Sequence, residues 1–201
     1  MKTTASLILI LFAMTGIVNA QETRPAYSAL RERQWTIEPG IGVHTNFGID
    51  LLLTNLLQWN PRPGLSLASH SSYNINNPMM RDFNNIKTDY NFSINQKFGI
   101  GKTFYARKST HSFFLMAGAK FTAYKETLEN PGYEQASFAV SSWSPDYGMM
   151  YSWKKGVKNC FFSFRMYLPL YPWPLKGSDI NYADANMDNI ALEFGVGFRI
   201  K

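Results

Sequence analysis

The sequence predicts an all-β fold: an antiparallel up-and-down transmembrane β-barrel of 8 to 10 strands, preceded by a cleaved signal peptide. Three observations predict it. Beyond about residue 34, apolar and polar residues alternate with a period of two, which is the strand period. The alternating runs reach about 9–11 residues, enough for a tilted strand to cross a bilayer, and short turn clusters separate them. The polar face carries many Ser, Asn, Gly and Thr residues, while the other carries Phe, Leu, Ile, Val, Met and Tyr. Small neutral-polar residues suit a crowded barrel interior, and large aromatics suit lipid and the headgroup girdles.

Composition narrows the field around that reading. Of 201 residues, 45% are hydrophobic, 15% aromatic and only 17% charged, which excludes a disordered chain. A mean hydropathy of −0.22 excludes a polytopic helical membrane protein, which needs several apolar runs of about 20 residues. The single cysteine, Cys160, excludes an intramolecular disulfide and a Cys-based zinc site. The length suits one domain with a sizeable core.

The first element is the export signal. Lys2 supplies a short positive region, residues 7–18 (LILILFAMTGIV) an apolar one, and Val18-Asn19-Ala20 a cleavage site before Gln21. Residues 1–20 are therefore expected to be removed, leaving a single barrel domain at 21–201. Export gives the net charge of +6 its meaning. A secreted basic protein meets anionic headgroups or surface polysaccharide, and its positive charges stand in scattered pairs such as Arg107-Lys108 and Lys154-Lys155. Nucleic acid is thereby excluded as a partner.

Strand candidates follow in order at 35–45, 65–76, 86–105, 112–124, 133–143, 147–154, 160–170 and 191–201. In the last, Leu192, Phe194, Val196, Phe198 and Ile200 share one face, opposite Glu193, Gly195, Gly197, Arg199 and Lys201. In 86–105, Tyr90, Phe92, Ile94, Phe98 and Ile100 share a face interrupted by Gln96. Lys87, Asp89, Asn91, Ser93, Asn95 and Lys97 oppose them. In 160–170, Phe162, Phe164, Met166, Leu168 and Leu170 oppose Phe161, Ser163, Arg165 and Tyr167. A ninth piece is ambiguous: Ile49, Leu52, Leu53, Leu56 and Leu57 also match the helical i, i+3, i+4 template. Without it eight strands remain, and a fold-back near Asn95-Gln96 gives ten. Turn signals fall at 60–64, 76–78, 130–132, Ser144-Pro145-Asp146 and Lys155-Gly156. Tyr90, Tyr147, Tyr151, Trp153 and Trp173 lie near strand ends, where amphipathic rings favour the interface. Inward Lys87, Asp89, Arg165, Glu193 and Arg199 are expected to neutralise one another in a lumen just wide enough for side chains.

The export signal ending VNA, the alternating strands and the terminal ALEFGVGFRIK together resemble the small outer-membrane β-barrel proteins of Gram-negative bacteria. The resemblance is one of pattern over nearly the whole mature chain. It implies an outer-membrane location among outer-membrane lipids and lipopolysaccharide, and insertion by the barrel-assembly machinery. In that family the final strand commonly ends on an aromatic residue. Here Phe198 and Ile200 have the matching phase, and the chain ends on Lys201.

Three places carry possible chemistry. His70 and Ser72, two apart on one strand face, have the His-x-Ser spacing of outer-membrane lipid A deacylases, with Asp82 as the acid at a plausible distance. By phase they share the interior side of Ser66 and Asn74, where they read as a polar ladder. In 179–188, Asp184, Asn186 and Asp188 fit the first positions of a calcium loop, but Asn189 replaces its turn glycine and Gly195 its bidentate Glu. The proline-spaced aromatic stretch from Pro169 to Lys176 reads as an interfacial anchor or partner contact. Cys160 reads as a small packed apolar residue. No cofactor, metal or catalytic set is assigned. The expectation is a non-enzymatic barrel with a structural, adhesive or loop-mediated binding role through 77–85 and 171–189. The alternatives are a lipid-modifying hydrolase at His70 and Ser72, and a soluble secreted barrel holding an apolar ligand.

Overall fold

The computed structural model describes residues 34–45, 49–62, 64–75, 86–106, 109–128, 136–156, 159–170 and 190–200. The signal peptide, Asp82, Trp173, the 179–188 segment and the loops at 77–85 and 171–189 lie outside the described residues. Eight strands appear: β1 Gln34–Thr45, β2 Ile49–Arg62, β3 Leu65–Ile75, β4 Ile86–Tyr105, β5 Ser109–Leu128, β6 Ala136–Lys155, β7 Cys160–Pro169 and β8 Ala191–Ile200. Each pairs antiparallel with its sequence neighbours, and β8 returns to β1, so the sheet closes into a barrel.

Closure carries a stagger. Register partners lead from Trp35 through Trp59, Leu67, Ile100, Leu115 and Met149 to Leu168. The residue before it, Tyr167, pairs with Ala191, which pairs with His44. The row that leaves at residue 35 thus returns at 45, and 45 − 35 gives a shear of ten. In a barrel of this size, such shear tilts the strands by about 40° and leaves an interior that side chains fill.

Alternation decides which side faces out. Ile41, Leu53, Ile94, Phe98, Leu115, Phe194 and Val196 stand exposed on the outer wall, whereas Glu38, Gln58, Ser66, Ser112, Arg165 and Glu193 are fully buried inside. Water cannot be the solvent for a wall so apolar; lipid can. Aromatics gather toward both ends. Trp35 stacks on Trp59 at 5.2 Å and Phe113 meets Tyr151 at 5.0 Å near the short-turn end, while Phe121 meets Trp143 at 5.2 Å toward the other. At the short-turn end, Gly64 (φ +81°) makes the tight β2–β3 connection, a conformation that glycine adopts without steric cost.

Three expectations are corrected, and the open piece at Ile49 is the strand β2. Eight strands result because the described parts of the candidates at 133–143 and 147–154 belong to one strand, β6, with Pro145 at its middle. Pro145 is tolerated for a definite reason. Leu170 N–H donates to Tyr147 O at 3.0 Å, so odd-numbered groups of β6 point toward β7. The described β7 ladder begins only at Gly148–Pro169, and the donor that proline lacks would face an edge that is unpaired among the described residues. Asp89 is not luminal: the register shifts between Thr88 and Tyr90, which turns Asp89 out to pair with Lys125 at 3.1 Å. Cys160 begins β7 but is exposed rather than packed.

Candidate functional site

The interior is an ionic and apolar filling ordered along the axis. Its lowest tier, near the β6–β7 turn, centres on Lys154, which binds Glu38 and donates to Gln58 Oε1 at 2.7 Å and Thr36 Oγ1 at 3.1 Å. Gln58 in turn reaches Asn60, Thr103 and Ser112 at 2.8–3.3 Å. The middle tier centres on Glu193, 2.8 Å from Arg165 Nε and 3.0 Å from His70 Nε2. Arg165 also donates to Glu38 O and Thr54 Oγ1, both at 2.8 Å. In the upper tier, Lys97 meets Asp146 at 2.7 Å and lies 3.5 Å over the Tyr167 ring, whose hydroxyl donates to the same carboxylate. Asn95 is a further donor to Asp146.

These contacts arise from alternation and shear together. Thr36 and Glu38, Lys154 and Ser152, Lys97 and Asn95 each share an inward phase, while the stagger sets which strands meet across the lumen. Between the ions packs an apolar cluster of Leu52, Leu56, Ala68, Phe114, Met116, Met150, Tyr167 and Ala191. The seam accommodates the largest groups through glycine. A Cβ on Gly40 would sit 2.6 Å from Arg165 Nη2, and one on Gly197 would sit 2.2 Å from two edge atoms of the Phe161 ring. Pairing between β1 and β8 also lapses from Glu38 to Pro39, which has no N–H, and Arg165 takes up the Glu38 carbonyl there.

Chemically, such a filling obstructs passage. Three carboxylates and three cations, all within 3% of complete burial, are bound to each other across five strands. A buried charge left alone would cost several kcal/mol, so the partners hold each other in place. His70 and Ser72 do face the interior as their phase indicates, but His70 is 1% exposed and its Nε2 is held by Glu193. A lipid ester outside the wall has no path to it. Of the expected inward neutralising set, Arg165 and Glu193 do pair. Arg199 donates to Gly156 O at 2.9 Å. Sequence reading missed Glu38, Asp146 and Lys154, although a charge standing at the polar phase of a largely neutral strand was the available signal.

A second feature is external. Strands β4, β5 and β6 run 20 residues each, and β5 pairs with β6 over the full length. At about 3.3 Å per residue and 40° of tilt they rise about 50 Å, twice the roughly 25 Å apolar band. Described pairing of β3 with β4 ends at Asn74–Ser93, and that of β7 with β6 at Pro169–Gly148. A three-stranded sheet therefore projects beyond the wall on the long-loop side, with both lateral edges unpaired among the described residues. Its described side chains are polar at Ser137, Ser141, Ser142, Lys125 and Thr127, with Thr127 Oγ1 donating to Asp89 at 3.0 Å, and aromatic at Tyr90 and Trp143.

No protein-family model matches the sequence, and no curated protein matches it. Among solved structures the fold is similar to that of Ail, the attachment invasion locus protein of Yersinia pestis, crystallised with the heparin analogue sucrose octasulfate. Identity there is 11% and the TM-score 0.45, over 84% of this chain and 99% of that one. It is similar also to the N-terminal β-barrel domain of Pseudomonas aeruginosa OprF, at 12% identity, TM-score 0.43 and coverage of 84% and 100%. Neisserial surface protein A stands at 11%, 0.42, 84% and 96%. These likenesses are of fold alone.

Proposed function

We propose that this chain is a Gram-negative outer-membrane barrel, exported by the signal peptide at residues 1–20 and embedded as a single domain, 21–201. Its work is non-enzymatic: a sealed body anchors a projecting sheet and the loops at 77–85 and 171–189, which bind at the cell surface. Outer-membrane lipids and lipopolysaccharide surround the wall, and the barrel-assembly machinery inserts it. One observation carries the reading. The lumen is filled by interlocked ion pairs and apolar side chains, so the surface left to do work is the polar sheet raised beyond the lipid band.

The test uses intact cells. In a Cys160→Ser background, Ser141→Cys is expected to react with a membrane-impermeant maleimide. Cells whose β5–β6 hairpin is shortened by replacing residues 126–137 with a two-residue turn are expected to lose attachment to surfaces and to one another. Their barrel should keep its heat-modifiable migration in SDS gels. No labelling, or unchanged attachment, overturns the proposal; altered lipid A acylation that Ser72→Ala abolishes would favour the hydrolase instead.

A further inference from the structure

The projecting sheet has two lateral edges, and they are built differently. Leu170 N–H donates to Tyr147 O at 3.0 Å, so the odd-numbered N–H and C=O groups of β6 point away from β5. The described ladder with β7 ends there. The backbone groups of Ser137, Ala139, Ser141 and Trp143 therefore form an edge that is unpaired among the described residues. In the sequence after Leu170, the next two positions of the same phase are Pro172 and Pro174, which have no N–H to give to that edge.

Sheet edges are ordinarily blunted by charge, bulge or proline against pairing with another chain. The β4 edge follows that rule: Lys87 and Asp89 lie along it, and the register shifts between Thr88 and Tyr90. The β6 edge does not. Residues 136–144 (ASFAVSSWS) hold no charge and no proline, and their ladder with β5 runs unbroken from Leu128–Ala136 to Lys120–Ser144. Ser137, Ala139 and Ser141 are small and exposed, so their side chains leave the backbone open to a neighbouring strand.

We propose that this edge pairs antiparallel with the β6 edge of a second copy, joining two barrels that stand in facing membranes. The inference rests on the projecting sheet working at the cell surface. An antiparallel strand pair is its own complement: about a two-fold axis perpendicular to the sheet, each N–H of one edge meets a C=O of the other. An uncharged edge also sets no like charges against each other when it meets itself. Tilt decides which copies can pair. Copies in one membrane share an axis along its normal, and strands tilted by about 40° then cross at about 80°. Copies in facing membranes share an axis in the membrane plane, which makes the same strands antiparallel at any tilt. The sheets rise about 25 Å beyond the apolar band, so two of them can overlap. With the β4 edge blunted, the contact closes as a pair and does not grow into a filament.

Purified protein refolded into phosphatidylcholine vesicles tests the pairing, with clustering read by light scattering and by energy transfer between two differently labelled vesicle populations. Wild-type vesicles are expected to cluster with each other and not with empty vesicles. Ala139→Pro/Ser141→Pro removes two donors from the open edge and none from the β5 ladder, which uses the even-numbered N–H groups. Its heat-modifiable migration should persist while its vesicles associate at least about tenfold more weakly. Ser141→Lys keeps every N–H but sets like charges across the axis, and should weaken clustering in the same direction. Thr127→Lys adds the same charge on the central strand β5 and should cluster as wild type does. Wild-type vesicles that stay apart, or that gather empty vesicles equally well, overturn the proposal. So does a proline variant that clusters as wild type does, or an equal loss in Thr127→Lys. If wild-type vesicles stay apart while cells with the shortened hairpin lose attachment, the pairing fails and the surface reading stands.

Discussion

Removing the charge of Glu193 while keeping its shape isolates what the middle tier contributes. In Glu193→Gln, Arg165 stays fully buried with its carbonyl and hydroxyl acceptors but loses the anion 2.8 Å from Nε. At an effective dielectric of 20 that attraction is about 6 kcal/mol. The replacement amide still offers an oxygen and His70 keeps an acceptor, so the expected net loss is about 3–5 kcal/mol, the range for breaking a buried pair. With an m-value of about 2 kcal/mol/M, the urea midpoint in lipid vesicles falls by about 1.5–2.5 M, read from tryptophan fluorescence and the heat-modifiable band. The double variant Arg165→Met/Glu193→Met removes both charges and should lie within about 1.5 kcal/mol of wild type. If Glu193→Gln costs less than about 1 kcal/mol, or the double variant costs more than the single one, the tiers are not held as argued.

Three further outcomes follow from the same geometry. Leu115→Arg places a charge at mid-wall and should cost about 2–4 kcal/mol in vesicle unfolding, whereas Ser141→Arg on the projecting sheet should cost under about 1 kcal/mol; equal costs would contradict the assigned depth. Gly197→Ala drives a methyl against the Phe161 ring and should destabilise by about 1–3 kcal/mol, relieved in part by Phe161→Leu in a double-mutant cycle. Pro145→Ala supplies an N–H facing the side of β6 that is unpaired among the described residues, so its stability in urea should match wild type within about 0.5 kcal/mol; a larger change would mean that β7 reaches farther along β6.

Much of this architecture was legible because lipid and a packed lumen select opposite chemistries on alternate residues. Ala191–Ile200, Ile86–Tyr105 and Cys160–Pro169 show it plainly, and apart from Asp89 their described side chains lie as read. Two places misled for physical reasons. In β2, Leu52 and Leu56 fill the apolar part of the lumen while Leu53 and Leu57 face lipid. Apolar residues on both faces imitate a helical stripe. In β6, Ser144-Pro145-Asp146 has turn chemistry, but Pro145 stands on an edge unpaired among the described residues and Asp146 is drawn inward by Lys97, Tyr167 and Asn95. The cross-lumen partners were not legible. Lys154 and Glu38 are 116 positions apart, and His70 and Glu193 are 123 apart. Only the stagger of ten residues decides that they meet.

The ladder from β1 to β8 joins Trp35 to Ile200, near the two ends of the described residues, whereas every other ladder joins consecutive strands. Hairpins can zip in order while the ribbon is being made, yet the cylinder has no last stave until the C-terminal one emerges. A polypeptide truncated before residue 191 would keep two raw margins and no way to hide them from acyl chains. Closing this cylinder thus requires the whole length from β1 to β8.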